Sequence, residues 1–258
     1  MLKKLIRLLQ TIRFLKFKQI FYRIYYRLVK IEPVLSEAPR LRIWPKKWSV
    51  SSWHHPSMLG EVTFTFLNEK GEVRSPQDWN SSLKTKLWLY HLHYLDDLNA
   101  KRSEERSSLH SSLVKNWITY NPPFLNNGWE PYTLSLRMVN LVKYFSRLEV
   151  VPKDFSESLA LQGLSLEKKL EFHILGNHLF ANAKALVFAG SFFDGSLGNV
   201  FLEKGLKLLR EEMKEQFLDD GAHFELSPMY HATLLWDVCD LIELANTSNI
   251  KILLDKKN

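Results

Sequence analysis

The chain has 258 residues, 45% hydrophobic and 24% charged, ordinary values for a globular protein with ample material for a buried core. Its formal charge of +7 sits at one end: residues 1–30 carry nine Lys or Arg and no acid, whereas residues 31–258 set 26 bases against 28 acids. That balance argues against a nucleic-acid footprint over the body, and a single cysteine, Cys239, rules out an intrachain disulfide.

Residues 1–30 read as a basic amphipathic helical arm. Arg7 and Gln10 interrupt the apolar run and no small-residue cleavage site follows, so no signal peptide is legible. An uninterrupted apolar span of ~18 residues, long enough to cross a bilayer, is also missing. Two helices are predicted. Leu2, Leu5, Leu9 and Ile12 share a face of the first; Phe17, Ile20, Phe21, Ile24 and Leu28 share a face of the second, opposite Lys16, Arg23, Arg27 and Lys30. Such an arm either packs on the body with its basic side in water or makes a peripheral contact with an anionic membrane. A cytoplasmic or membrane-peripheral location is favoured on these grounds.

Residues 31–80 form an aromatic and proline-rich connector, with Pro33, Pro39, Pro45, Pro56 and Pro76 among Trp44, Trp48, Trp53 and Trp79. Residues 61–66 alternate like a strand, and Asn68 to Gly71 is the expected turn of a hairpin within about 61–74. From residue 81 to 258 helical periodicity takes over, forming one structural domain with the preceding segments. Helices are predicted at about 83–98, 103–120, 132–147, 155–174, 177–193, 199–217 and 229–247. Gly176, Gly190, Gly195 and Gly221 mark breaks, and Ser227-Pro228 starts the last helix. The fold class is all-α, a stack of antiparallel helix pairs. Its core includes the stripe Leu134, Met138, Leu141 and Tyr144, and Cys239, among apolar neighbours, is expected to be an inert buried thiol.

Polar motifs alternate with these helices. Residues 88–97 set Tyr90, His93, Tyr94 and Asp97 on neighbouring turns. In residues 128–137, Trp129 precedes a helix carrying Arg137, which either grips a substrate carboxylate with paired hydrogen bonds or partners an acid such as Glu130. HILGNHLFANAKAL (173–186) holds Asn177 and His178; FLDDGAHFELSPMYHATLLWD (217–237) holds His223, Glu225, Tyr230 and His231. No metal is expected, because His173/His178 and His223/His231 are five and eight residues apart rather than four. No cofactor-binding glycine loop is present either.

Several of these motifs together resemble the heparinase II/III-like family: Phe64 to Asn68, Asp78-Trp-Asn80, Leu87 to Asp96, Gly128 to Thr133, Leu175-Gly-Asn-His178 and Asp219 to His231, in order along residues 15–247. The resemblance implies an incomplete (α/α) toroid followed by a C-terminal β-sandwich, and polysaccharide lyase activity on uronic-acid glycans. It assigns catalytic roles to Asn177 and Tyr230 and, by analogy, implies a periplasmic location, against the cytoplasmic or membrane-peripheral one read from the arm. The β-sandwich, which usually supplies a further catalytic histidine, is expected to be absent from this chain. The lyase is therefore expected to be impaired alone, and a β-sandwich supplied in cis or by a separate chain is expected to raise its rate.

The chemistry fits these residue types. β-Elimination takes the C5 proton of a uronate and expels the glycosidic oxygen at C4. Asn177, helped by His178 or Arg137, would stabilise the enolate-like charge. A tyrosine suits both proton transfers once its ordinary pKa near 10 is lowered. Trp129, His223, Glu225 and His231 complete the expected substrate contacts around an electropositive cleft. Two other readings stay open: a non-catalytic acidic-glycan-binding or envelope-polysaccharide assembly protein, and a glycoside hydrolase using Asp220 and Glu225.

Overall fold

A computed structural model describes residues 10, 12–49 and 54–250. The predicted first arm helix lies largely outside these residues, as does Trp53. Eight α-helices occur among the described residues: α1 (Phe17–Leu28), α2 (Lys86–Tyr94), α3 (Ser107–Tyr120), α4 (Pro131–Phe145), α5 (Lys153–Lys168), α6 (Gly176–Phe192), α7 (Gly195–Gln216) and α8 (Pro228–Ser248). The fold is all-α, an incomplete toroid.

Local chemistry sets most helix boundaries. The Thr85 side chain accepts the Trp88 N–H (3.2 Å) and caps α2. Pro131 and Pro228 open α4 and α8, where a missing N–H costs nothing. Helix α2 is shorter than the expected 83–98, because Leu95 turns left-handed (φ 57°) and residues 96–99 tighten into a 3₁₀ turn. Helix α5 likewise stops at Lys168. Beyond it, the Glu171 N–H goes to the Asn182 side chain (2.8 Å), and Leu175 and Gly176 both take positive φ.

Cross-links reveal the layering. Tyr132, Ser135 and Lys143 of α4 meet His178, Asn182 and, through Asp240, Lys184 of α6 in ascending order, so the two helices run parallel. Lys184 of α6 contacts Asp237 and Asp240 of α8, each at 2.6 Å. Helix α2 runs parallel to α4, since Lys86 at its start pairs with Glu130 (2.8 Å) and the carbonyl of Tyr94 at its end accepts from Asn140 (3.0 Å). Helices α2, α4, α6 and α8 thus begin along one face, while α3, α5 and α7 return outside them. Residues 193–194 join α6 to α7 as a tight hairpin. At Gly190 an added Cβ would lie 2.5 Å from the Leu202 nitrogen, so only glycine permits this approach.

The stripe Leu134, Met138, Leu141 and Tyr144 is buried as expected. Four charges lock the inner helices beneath it. Lys143 and Lys184 share Asp240, and burial with the neighbouring Lys184 lowers the Lys143 pKa to about 8.

Two turn and burial expectations need correction. The strands are β1 (Thr63–Phe66) and β2 (Glu69–Glu72), joined by Leu67-Asn68, both at positive φ. The two-residue turn matches the twist of paired strands, so Asn68 to Gly71 is not the turn. The hairpin docks on α2 by Trp88, whose ring leaves no space for a side chain at Gly71. Cys239 is exposed, not buried, because α8 turns Leu235, Cys239 and Ile242 away from the core.

The connector wraps the opposite end of the helix layer. Arg42 Nε donates to the Phe193 carbonyl (2.8 Å), Trp44 Nε1 to that of Ser191 (2.8 Å), and Trp48 is buried against Phe188.

Candidate active site at the helix N-termini

Asn177, Tyr132 and Tyr230 occupy the first turns of α6, α4 and α8. Asn177 does not cap its own helix: the N-cap position is Leu175. Instead its side chain lies beside the Tyr132 hydroxyl, close enough to favour its ionised form. The Tyr132 pKa is pushed up to about 12 by burial first, then by Asp237, Glu171 and Tyr230, with Asn177 opposing. At neutral pH Tyr132 is therefore a phenol able to donate, not a base.

His178 lies beside it, its ring centroid 4.3 Å from that of Tyr132. His178 Nδ1 is 3.0 Å from Glu171 Oε1, while Glu171 Oε2 accepts from Asn182 Nδ2 (2.9 Å), which also donates to Ser135 Oγ (3.0 Å). Donation of Nδ1–H to the carboxylate leaves Nε2 as the ring nitrogen free of that contact.

The loop after α7 brings the second motif to the same place. Gln216 donates to the Gly176 carbonyl (2.9 Å) and accepts from His223 Nε2 (3.4 Å). His223 Nδ1 accepts the Glu225 N–H (3.4 Å), so the ring is used on both sides. Burial lowers the His223 pKa; Glu225 opposes that shift and His231 reinforces it. Tyr230 sits 5.9 Å from His223, centroid to centroid, and the Glu225 carboxylate lies near Gly176. Asn177, His178, His223, Glu225 and Tyr230 are thus assembled around the start of α6, with the exposed His231 at the edge.

Arg137 and Trp129 are not part of this cleft. The expectation that Arg137 grips a substrate carboxylate is corrected: its guanidinium is fully buried and donates to Gln162 Oε1 (3.0 Å), the His93 carbonyl (3.0 Å) and the Gly128 carbonyl (2.7 Å). It also lies 3.8 Å from the Trp117 ring centroid. Glu130, its alternative partner, pairs with Lys86 and Tyr90. Trp129 is 6% exposed, packed on Trp117 and Phe124, with its indole N–H on the Asn121 carbonyl (3.2 Å), and cannot present a face to a sugar.

The expected electropositive character does not come from a basic side chain beside Tyr132, whose charged neighbours are Asp237 and Glu171. The positive ends of three helix dipoles meet there instead, a setting that favours anions. Concavities of about 220 and 410 Å³ lie elsewhere, between α1 and residues 167–174, while Asn177, His178 and Tyr230 form a ledge that is partly exposed to solvent.

Tyr132 and Glu171 were not singled out from the sequence. Tyr132 stands inside the motif Gly128 to Thr133, three residues from Trp129, and that company was its only signal. Glu171 falls where a continuous helix was predicted and carried none.

Comparison with known proteins gives a consistent family. The heparinase II/III N-terminus matches residues 72–256. A heparin-sulfate lyase of Bacteroides stercoris is 27% identical over 126 residues, covering 46% of this chain and 19% of the relative. Those of Bacteroides thetaiotaomicron and Pedobacter heparinus are 27% and 30% identical over 150 and 131 residues, covering 54% and 46% of this chain and 21% and 20% of theirs. The chain spans about a fifth of the length of these curated relatives. No solved structure matches significantly. Since the family match takes in both the Gly176-Asn-His178 and the Ser227-Pro-Met-Tyr230 segments and well over half of the chain, this protein belongs to the heparinase II/III N-terminus family.

Proposed function

We propose that the chain is the toroid domain of a polysaccharide lyase that cleaves a uronic-acid-containing acidic glycan by β-elimination. The observation that carries this is the meeting of Asn177, His178, Tyr132 and Tyr230 where three inner helices begin. The uronate carboxylate binds at the helix N-termini, beside the Asn177 amide and His178 Nε2. Tyr230, once deprotonated, takes the C5 proton; electrons move through the enolate-like intermediate to form the C4–C5 double bond. The C4–oxygen bond breaks, and the proton now on Tyr230 passes to the departing oxygen. Donors held before the charge develops, Asn177 and the helix N–H groups, lower the barrier because they need no reorganisation. Glu171 is a positioning residue, holding the His178 ring through Nδ1. Glu225 and His231 border the adjoining sugar; His223, expected as a further contact, is buried with both ring nitrogens engaged and supports the loop from behind.

The names of the relatives make heparin sulfate the first glycan to test, followed by alginate and bacterial uronate polymers. The product is an unsaturated uronate that absorbs in the ultraviolet. Tyr230→Phe should lower the rate of its appearance by ~10²–10⁴-fold with no change in fold; an unchanged rate removes the tyrosine from the mechanism. The ledge is open on one side, where water weakens each stabilising hydrogen bond. A β-sandwich supplied in the same polypeptide or by another chain should therefore raise turnover. A rate of ~1 s⁻¹ or more from the chain alone, within the usual enzyme range, would show that no further wall is needed.

A further inference from the structure

Helix α1 is docked with its apolar stripe outward. The sequence pattern offered packing on the body with the basic side in water, and the structure reverses it. Arg23 donates to the His173 carbonyl, Gln19 to that of Ile174, and the Tyr26 hydroxyl to that of Leu170 (2.7 Å). The Tyr22 ring packs on Phe172 at 4.7 Å, and Lys18 Nζ lies 3.9 Å from the centroid of the same ring. None of the twelve residues of α1 is buried. Phe17, Phe21, Ile24 and Leu28, at helical spacing i, i+4, i+7 and i+11, form one stripe on the other side; Phe17 is 81% and Leu28 79% exposed. Phe14 extends it and is 75% exposed.

An apolar stripe of this size in water is costly, at about 25 cal/mol per Å², and the residues beside it indicate what covers it. Around the helix, Lys18 flanks the stripe on one side and Arg27 on the other, with Arg13 and Lys30 near its ends, while Lys16 is held on the body by Glu215 (2.5 Å). No acid occurs before Glu32, which pairs with Lys30. Cations on both edges of an apolar face match a bilayer interface, where side chains enter the acyl boundary and ammonium or guanidinium groups reach up to anionic headgroups. No helix among the described residues is long and apolar enough to cross a membrane, so the fitting geometry is one that lies in the surface. We infer that α1 is a peripheral membrane anchor, with Phe17, Phe21, Ile24 and Leu28 seated in an anionic bilayer and its tyrosine side held by residues 170–174. Those residues run directly into α6, so the anchor holds the Asn177 ledge beside the membrane surface.

The test is sedimentation of the full chain with vesicles of equimolar phosphatidylcholine and phosphatidylglycerol, and with phosphatidylcholine alone. The intact chain should sediment with the anionic vesicles, much less with the neutral ones, and less again at high salt. Phe21→Glu/Leu28→Glu, two exposed positions, should keep the circular dichroism of the parent and lose at least ~tenfold in vesicle affinity. Arg13→Glu/Arg27→Glu should abolish the preference for anionic lipid. Absence of vesicle binding by the intact chain overturns the inference, as does equal binding by the Phe21/Leu28 variant. It is equally overturned if the stripe proves to hold two copies together: a dimer that this variant dissociates, with no lipid affinity.

Discussion

Arg137 and Asn177 come from sequence motifs of similar polarity, 40 residues apart, and end in opposite circumstances. The Arg137 guanidinium is sealed between α2, α4 and α5, its donors on two backbone carbonyls and the Gln162 amide, with Trp117 against its face. Nearby, His93 donates from Nε2 to the Trp79 carbonyl (2.9 Å) and accepts the Trp117 indole N–H at Nδ1 (3.0 Å). Gly128 is required there, since a Cβ would come within 2.8 Å of that imidazole. Around Asn177, by contrast, His178 uses one ring nitrogen on Glu171, Asn177 and Tyr230 are only partly buried, and His231 is exposed. A polar residue type therefore says little about function until its hydrogen bonds are counted. The saturated cluster holds the inner helices in register, and the unsaturated one is where a ligand has something to bind.

The comparison breaks most severely at Arg137. Arg137→Ala would strand three buried acceptors and leave a large void, so urea denaturation should show a loss of roughly 3–5 kcal/mol; a loss under ~1 kcal/mol would mean the cluster is not structural. Asn177→Ala should do the reverse. Its stability should stay within ~1 kcal/mol of the parent while the lyase rate falls about 10²-fold, near 2.7 kcal/mol in barrier. If both variants lose stability equally, the distinction between the two regions fails.

Acid sharpens the same contrast. Burial, then Arg137, lowers the His93 pKa to about 3, so the folded state holds this ring neutral while the unfolded chain protonates it below ~6.5. The unfolded state then binds the extra proton, and stability contributed by His93 is full above pH ~6.5 and declines by up to ~1.4 kcal/mol per pH unit toward pH 3. Asp97 adds to this below its ordinary range. Burial alone would raise its pKa, but hydrogen bonds from His110, Arg106 and the Met58 and Ser57 N–H groups hold it at about 2. Its stabilisation is therefore lost as pH falls from about 4 to 2. Thermal melts of the parent and His93→Gln between pH 7 and 4 check the histidine's share: the glutamine can make both hydrogen bonds without titrating, so its slope should be shallower. The smallest expected effect is Tyr132→Phe, which removes one donor beside Asn177 and should slow the lyase about five- to tenfold. A rate loss equal to that of Tyr230→Phe would exchange the roles of the two tyrosines.

Periodicity and helix punctuation were local enough to be legible. Each helix of the body was foreseen, and most ends lie within a few residues, because a 3.6-residue apolar repeat and a Gly or Pro break act over one or two turns; the end of α5, expected at 174, falls at Lys168. The core stripe on α4 followed from the same pattern. What failed to be legible was partnership across the chain. Arg137 finds its acceptors 9, 25 and 44 residues away, and Glu171 meets Asn182 only because the chain leaves α5 early. Tyr132 gains its place from three helices beginning together, a relation that no window of sequence contains.

By itself, then, the sequence determined an all-α body, most boundaries of its helices, a basic apolar arm and the two motifs that mark the family. Tertiary structure alone decided which polar groups were spent and which were left available. It closed Arg137 and Trp129 inside the layer, opened Asn177 and Tyr230 toward a shared ledge, and turned the apolar stripe of α1 outward. The physical reason is that helix formation is governed by short-range bonds and propensities, whereas burial and hydrogen-bond satisfaction depend on partners that only packing brings within reach.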